Sequence, residues 1–283
     1  MSSLALISQK GGVGRTTIAV NLSYSLAKRG WKVLLVDADL QGGVGFSLTE
    51  KSKNAPGVHD LLVSSDSVSP RDIEEYALKT NLPNLKLLTR GSRDALDQIL
   101  ADLNGKWASR KRIGKVMEAL DEADYDLVVY DCPAGINRVS VGICGHVESL
   151  VIPEQATPLC LRSLPQILRM VASVKGEDGS EGGRLAGFIL SMTEPDEPSS
   201  LEDQKDFRDL LPIEMVLETV IPKHRDFFEA SRVGVPVAML KERPSASSLI
   251  FDQLAAELEP RLNLSENTET YSPDRNEFAR LVD

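Results

Sequence analysis

Histidine and cysteine are scarce in this chain, with three of each. His59, His146 and His224 are scattered, which argues against a zinc enzyme. Cys132, Cys144 and Cys160 are too few and too irregularly spaced for a disulfide framework. No apolar run approaches the roughly 18 residues needed to cross a bilayer. Met1-Ser2-Ser3 followed by Leu4-Ala5-Leu6-Ile7 has neither a basic start nor a cleavage-site pattern, so the expectation is a cytoplasmic chain without a signal peptide. Positive charge is the minority sign, 32 Lys and Arg against 42 Asp and Glu, for a net charge of −10. That balance excludes a bulk polyanion binder and leaves only a local basic patch for such a role. What is present, 283 residues of which 42% are hydrophobic and 26% charged, is ordinary for a soluble protein and ample for a buried core.

Apolar runs alternate with amphipathic ones along most of the length. This is the α/β pattern of a mostly parallel twisted β-sheet flanked by helices on both faces. Leu4-Ala5-Leu6-Ile7-Ser8 suits a strand buried on both sides. A glycine-rich loop follows, then a helix with Ile18, Ala19, Leu22 and Leu26 on one face and Gly30 as its stop signal. Val33-Leu34-Leu35-Val36 is a second strand that ends at Asp37. Further strands are predicted over 85–88, 127–130, 150–153, 185–190 and 215–221, and helices over 93–103, 108–123, 159–174, 201–211 and 246–262. The stretches 176–183 and 194–200 read as surface loops. Beyond Leu264 the composition turns polar, so residues 1–264 are expected to form one domain and 265–283 a mobile tail.

The chemistry concentrates at strand ends. In Lys10-Gly11-Gly12-Val13-Gly14-Arg15-Thr16-Thr17 the glycines let successive backbone N–H groups turn inward around a phosphate, and the helix N-terminus adds its own donors and dipole. Thr16 would offer a hydroxyl to Mg²⁺. Against G-x-x-x-x-G-K-[ST], Arg15 stands where the lysine belongs and Lys10 adds a cation before the glycines. An ordinary glycine-rich turn is the plain alternative, and the flanking strand and helix argue against it. Asp37-Ala38-Asp39-Leu40-Gln41 then places two carboxylates at a strand exit, able to hold Mg²⁺ through water and to orient an attacking water. Leu127-Val128-Val129-Tyr130-Asp131-Cys132-Pro133 is a third strand end, again acidic. One such end alone reads as a turn or cap; the three in this order read as a P-loop NTPase-type site.

These motifs resemble the deviant Walker A ATPases of the ParA/MinD family, which position plasmids, chromosomes, division sites and other large cargo in bacteria. The family loop K-G-G-V-G-K-T-T differs here only at Arg15, and the family's D-x-D-P-Q differs only at Leu40. Asp131-Cys132-Pro133 resembles the ParA branch, and Pro133-Ala134-Gly135-Ile136 the MinD branch. Val220-Ile221-Pro222-Lys223, Glu229-Ala230-Ser231 and Gly234-Val235-Pro236-Val237 resemble the family's adenine-side loop and following helix. The similarity spans about residues 3–262 and is weakest over 48–104.

The resemblance implies ATP and Mg²⁺ as cofactors, an ATP-dependent homodimer, and slow hydrolysis to ADP and phosphate stimulated by an adaptor or activator, ParB-like or cargo-specific. It casts Lys10 as the signature lysine reaching the partner's phosphates across a nucleotide sandwich. Gly11, Gly12, Val13, Gly14, Arg15, Thr16 and Thr17 would cradle phosphate, with Thr16 on Mg²⁺. Asp39 would help position the hydrolytic water, Asp37 and Asp131 would lie near the metal, and the loops around Met192 and Pro222 would meet the adenine edge. Lys10, Arg15 and Asp39 are thus the candidate catalytic residues. Residues 37–48 and 131–146 would be the switch regions.

Arg15 bears on rate. A guanidinium keeps the charge and can bind phosphate bidentately, but it is longer and planar. Nucleotide binding should survive, while a displacement of about 1 Å can cost roughly a hundredfold in rate. The expectation is a slow ATPase with a long-lived ATP-bound dimer. The alternatives are an unchanged rate, or a nucleotide-binding scaffold with negligible hydrolysis.

Other features have two readings each. Lys106, Arg110, Lys111, Arg112 and Lys115 surround Trp107; on a helix Trp107, Lys111 and Lys115 share one face, and Ile113, Val116, Met117 and Leu120 another. A solvated face is the plain reading, a contact for DNA or an acidic partner the functional one, and the resemblance adds the dimer interface. Lys223 and Arg225 fall where ParA-branch proteins bind the nucleoid, with Arg232, Lys241 and Arg243 further along. Doubled in a dimer, that patch would bind nonspecific DNA with steep salt dependence; scattered surface cations are the alternative. The stretch 266–283 is more acidic than basic, unlike the membrane-binding basic helix of the MinD branch. The cysteines lack the C-x-x-C pairing of iron–sulfur relatives and read as small core residues. A metabolic ligase or cluster reductase of the same superfamily would need a substrate-binding insertion or paired cysteines, and neither is found.

Overall fold

The computed structural model describes residues 1–48, 55–64, 67–102, 109–135, 137–174 and 182–264. In chain order its elements are β1 (Ser2–Leu6), α1 (Arg15–Lys28), β2 (Val33–Asp37), α2 (Gly43–Leu48), α3 (Val58–Val63), α4 (Pro70–Tyr76), β3 (Leu78–Lys79), β4 (Leu85–Leu88), α5 (Arg93–Ala101), α6 (Arg110–Asp121), β5 (Leu127–Asp131), α7 (Arg138–Cys144), β6 (Ser149–Glu154), α8 (Pro158–Val174), β7 (Arg184–Thr193), α9 (Pro198–Asp209), β8 (Ile221–Pro222), α10 (Arg225–Val233) and α11 (Ala246–Arg261). The strands form one sheet in the order β3-β4-β2-β5-β1-β6-β7-β8. Every neighbouring pair is parallel except β3–β4.

Strand alternation divides the core in two. Leu34, Val36, Val128 and Tyr130 face one layer with Ile113, Val116, Met117 and Leu120 of α6 and Ile167 of α8. Val33, Leu35, Leu127 and Val129 face the other, with Ile18, Leu22 and Leu26 of α1 and Leu254 and Leu258 of α11. Because both faces are covered, the central strands are buried at every position, which explains their unbroken apolar runs.

A three-residue clamp joins α1 to α11. Arg29 Nε and Nη2 donate to the two Glu259 carboxylate oxygens at 2.7 and 2.6 Å, and Trp31 Nε1 donates to the same group at 2.8 Å. Burial opposes ionisation of Glu259, but the donors outweigh it and hold its carboxyl below the usual range. A lowered acid stabilises the fold above its unfolded pKa and loses that contribution as pH falls. Glu259→Gln removes the charge from these bonds, so chemical denaturation at neutral pH should show a loss of about 1–3 kcal/mol.

The structure corrects several expectations. Residues 215–221 are not one strand: Ile213–Met215 is a short 3₁₀ turn, Val216 makes a lone bridge to Phe188, and β8 has two residues. The intervening N–H groups of Glu218 and Thr219 donate instead to the Glu257 carboxylate of α11, at 2.7 and 3.0 Å. α9 begins at Pro198, inside the loop predicted over 194–200, because proline fits the first helical turn. The short helices α2, α3, α4 and α7 were not among the predicted elements; six or seven residues are too few to show a helical period. Lys106 and Trp107 lie outside the described residues, as does the tail over 265–283. Lys111 and Lys115 are exposed, but Arg112 is not part of a solvated face. It donates to the carbonyls of Leu61 and Leu62 at 2.8 Å each, and to that of Ser64, at the C-terminal end of α3.

Candidate functional site

The sheet order places the ends of β2, β5 and β1 side by side. The register pairs Asp37 with Asp131 and Leu6 with Asp131, so both acidic strand ends meet the loop leaving β1. Gly12 and Gly14 have φ of 79° and 82°, the left-handed region in which L side chains are strained. Gly14 is also the N-cap of α1 and supplies no side-chain cap, so first-turn N–H groups of this helix remain for an outside acceptor. Several bonds pin the loop. Ser191 Oγ of β7 donates to the Val13 carbonyl at 2.8 Å, and Asn21 Nδ2 donates to that of Thr17 at 2.7 Å. Asn21 Oδ1 in turn accepts from Val237 N at 2.7 Å.

Beside this cradle lies a cavity of about 550 Å³ walled by Gly12, Val13, Gly14, Arg15, Thr16 and Thr17 and, across from them, by Met192 and Pro222. The structure therefore brings both residues expected at the adenine edge to the same cavity as the phosphate loop. Met192 has a φ of 55°, which is uncommon for a side chain of its size. Lys10 is half-buried and does not line the cavity. Burial pushes the Glu154 carboxyl, at the end of β6, above the usual range, and the Lys10 charge only partly opposes this. His224, Phe228 and Arg232 also line the wall. They carry no linear motif, and only their place on and before α10 brings them there. Lys223 lines the cavity and ion-pairs with Glu194. Arg225 pairs with Glu229 at 2.6 Å. Both candidate DNA contacts thus have acidic partners.

The carboxylates form the other half of the site. Thr16 Oγ1 donates to Asp131 Oδ2 at 2.7 Å, and Gly45 N donates to Asp37 Oδ2 at 3.2 Å. Each aspartate keeps its Oδ1 buried with no hydrogen-bond partner among the described residues. Burial pushes the Asp131 carboxyl up to about 6 despite the Thr16 hydroxyl, and pushes Asp37 up as well, the neighbouring Asp131 adding to it. Two buried acids with a spare oxygen each, beside a hydroxyl, suit a divalent cation. Among the described residues no three His, Cys, Asp or Glu side chains converge to hold one. A small hard cation would therefore take most of its ligands from Thr16, phosphate oxygens and water, as Mg²⁺ does. Asp39 accepts from Gln41 N at 2.9 Å and stands 3.9 Å from Arg15 Nη2. Arg15 is 8% exposed and donates to the Cys132 carbonyl, so its guanidinium bridges the loops that leave β2 and β5.

A parallel sheet whose first strand feeds a glycine cradle, with a buried aspartate beside the cradle's threonine, defines a P-loop nucleotide-binding protein. Residues 1–181 match the family model described as AAA domain. The chromosome partitioning protein ParA of Caulobacter vibrioides is 33% identical over 265 residues, covering 90% of this chain and 92% of that protein. The ATP complex of a Cyanothece McdA variant superposes with a TM-score of 0.74 at 20% identity, over 95% of this chain and 99% of that one. Cobyrinic acid a,c-diamide synthase of Mycobacterium smegmatis, with a bound ATP analogue and magnesium, gives 0.71 at 23% identity over 96% and 100%. The two structural likenesses speak to the fold; the sequence matches speak to descent. The chain belongs to the ParA/MinD family of P-loop ATPases.

Proposed function

We propose that this chain is a ParA-type partitioning ATPase, in which ATP and Mg²⁺ drive formation of a homodimer and slow hydrolysis to ADP and phosphate ends it. The observation that carries this reading is the Thr16–Asp131 hydrogen bond beneath the cradle, with Asp37 alongside and the cavity opening towards Met192 and Pro222. Residues 1–264 make up the ATPase unit, with α1 aiming its free N–H groups at phosphate oxygens. Thr16, Asp37 and Asp131 would hold Mg²⁺, which when bound would offset the charge on those oxygens. Asp39, at the mouth of the β2 loop, orients the attacking water. Lys10 stands outside its own cavity, where it can serve a second copy's phosphates. An adaptor or activator protein then couples the dimer to cargo, of which the chromosome named for the Caulobacter relative is the model case. The net charge of −10 and the ion-paired Lys223 and Arg225 favour a protein link to cargo over direct DNA contact.

Size-exclusion chromatography with light scattering tests the switch on native and Lys10→Ala protein, in ADP and in ATP with Mg²⁺. The expected result is a dimer only for native chain in ATP, with Lys10→Ala monomeric yet binding nucleotide within about twofold of native affinity. A native chain that binds ATP and stays monomeric would overturn the dimer switch, and one that binds no nucleotide would overturn the whole reading.

A further inference from the structure

We infer that Arg90 is a positioning residue for Asp39, a clamp on the loop that carries the water-orienting carboxylate; the inference rests on the ATPase reading above. β4 runs parallel to β2 with Leu88 opposite Val36, so the chain leaving β4 lies beside the loop leaving β2. From there Arg90 Nη1 donates to the Leu40 carbonyl at 2.9 Å. Its side chain passes close to Gly42, where an added Cβ would meet Arg90 Cδ at 2.5 Å and Nε at 2.8 Å. Gly42 also has a φ of 70°, so both its backbone and its missing side chain admit the arginine.

The residues under this clamp hold Asp39. Gly42 N donates to the Asp39 carbonyl at 2.8 Å, and Gln41 N donates to its carboxylate at 2.9 Å. On the far side Gly43 packs against Thr16, its absent Cβ only 2.9 Å from Thr16 Oγ1. The loop is therefore gripped between the phosphate cradle and Arg90. Glycines at 42, 43 and 45 would otherwise leave it permissive. The grip is anchored, because the Arg90 carbonyl accepts from His59 N at 3.0 Å and from His59 Nδ1, and His59 is fully buried. Asp39 stands 3.9 Å from Arg15, beyond hydrogen-bond range. The Asp39 carboxylate thus takes its hydrogen bond from the loop backbone and only a long ion-pair contact from Arg15, and Arg90 sets where that backbone sits.

The test uses the full-length chain with Arg90→Ala, Arg90→Lys and Asp39→Ala, each variant first checked for a native melting profile. Arg90→Ala should lower kcat roughly tenfold or more while Mg-ATP affinity stays within about twofold, because the clamp touches the water-orienting loop and not the cradle. Arg90→Lys, which keeps a donor for the Leu40 carbonyl, should restore part of that loss. In an Asp39→Ala background Arg90→Ala should cost little more, since both changes remove one function. Hydrogen exchange read without nucleotide should show residues 39–43 exchanging faster in Arg90→Ala. Native kcat in Arg90→Ala, an equal loss with Asp39 already removed, or unchanged exchange in the loop would each overturn the clamp. A native chain that does not hydrolyse ATP would instead overturn the parent reading, and the exchange measurement would still decide whether the clamp exists.

Discussion

Arg15→Lys should hydrolyse ATP at least about tenfold faster than the native chain at similar nucleotide affinity, which corresponds to about 1.4 kcal/mol or more of barrier. Arg15 is buried, donates to the Cys132 carbonyl and leans towards Asp39. A guanidinium committed to the loops leaving β2 and β5 cannot also place a compact charge against developing phosphate charge, where donors contribute most. A lysine at the same backbone position has one small head group and no fork with which to hold both loops. Phosphate release at saturating Mg-ATP, run on both chains under matched conditions, measures the effect. Rates equal within about twofold would make Arg15 a neutral replacement. Hydrolysis absent from native chain and restored in Arg15→Lys would make the native protein a nucleotide-controlled scaffold.

His59→Gln should be less stable than native chain at pH 8, and the gap should narrow or reverse by about 2–3 kcal/mol towards pH 4.5. Burial drives the His59 imidazole down from 6.5 to about 4, so the folded state resists a proton that the unfolded chain accepts. Between those values the unfolded state binds more protons. His59 therefore contributes fully above pH 6.5, and that contribution is lost as pH falls towards 4. Asp131 works in the opposite sense: raised to about 6, it makes the fold relatively more stable as pH falls from 6 towards 3.8. The native profile is flattened by this opposition, and the difference between native and variant isolates the histidine. Denaturant unfolding at several pH values is the measurement. A pH-independent difference would show that His59 is not held neutral. Among the described residues His59 Nε2 and Tyr130 Oη are buried without hydrogen-bond partners, and both side chains line one cavity of about 10 Å³ with Ala38, Val139 and Ile143. Burial thus outweighs the nearby Asp60 and Asp39, whose charges favour the protonated imidazole.

How far each part of the protein was legible follows from what determines it. The phosphate loop shows in the chain because its shape needs glycine at the positive φ of positions 12 and 14, and because the next residues must start a helix. The strands before Asp37 and Asp131 show because burial on both faces demands continuous apolar runs. The stretch over 215–221 is mostly apolar too, yet the N–H groups of Glu218 and Thr219 are taken by Glu257, some forty residues further on, and no local pattern announces that. α3 and α7 are six and seven residues long, short of the two turns in which a hydrophobic period becomes visible.

Order along the chain thus settles the class of fold, the phosphate cradle and which aspartates end strands, since each is imposed by the conformation or burial of a few adjacent residues. Everything that depends on distant parts meeting was decided by the sheet order and the packing of α10 and α11. Asp37 faces Asp131 because β2 and β5 pair in register, although 94 residues separate them. Met192, Pro222 and Phe228 reach the cradle from the far end of the chain. Arg15, a departure that reads in sequence as a replaced phosphate ligand, proves to be a tie between two loops. Arg90, unremarkable in sequence, covers the glycine beside Asp39. The reason is the same in each case: backbone preference acts over a few residues, whereas hydrogen-bond partners are chosen by whatever the fold brings within about 3 Å.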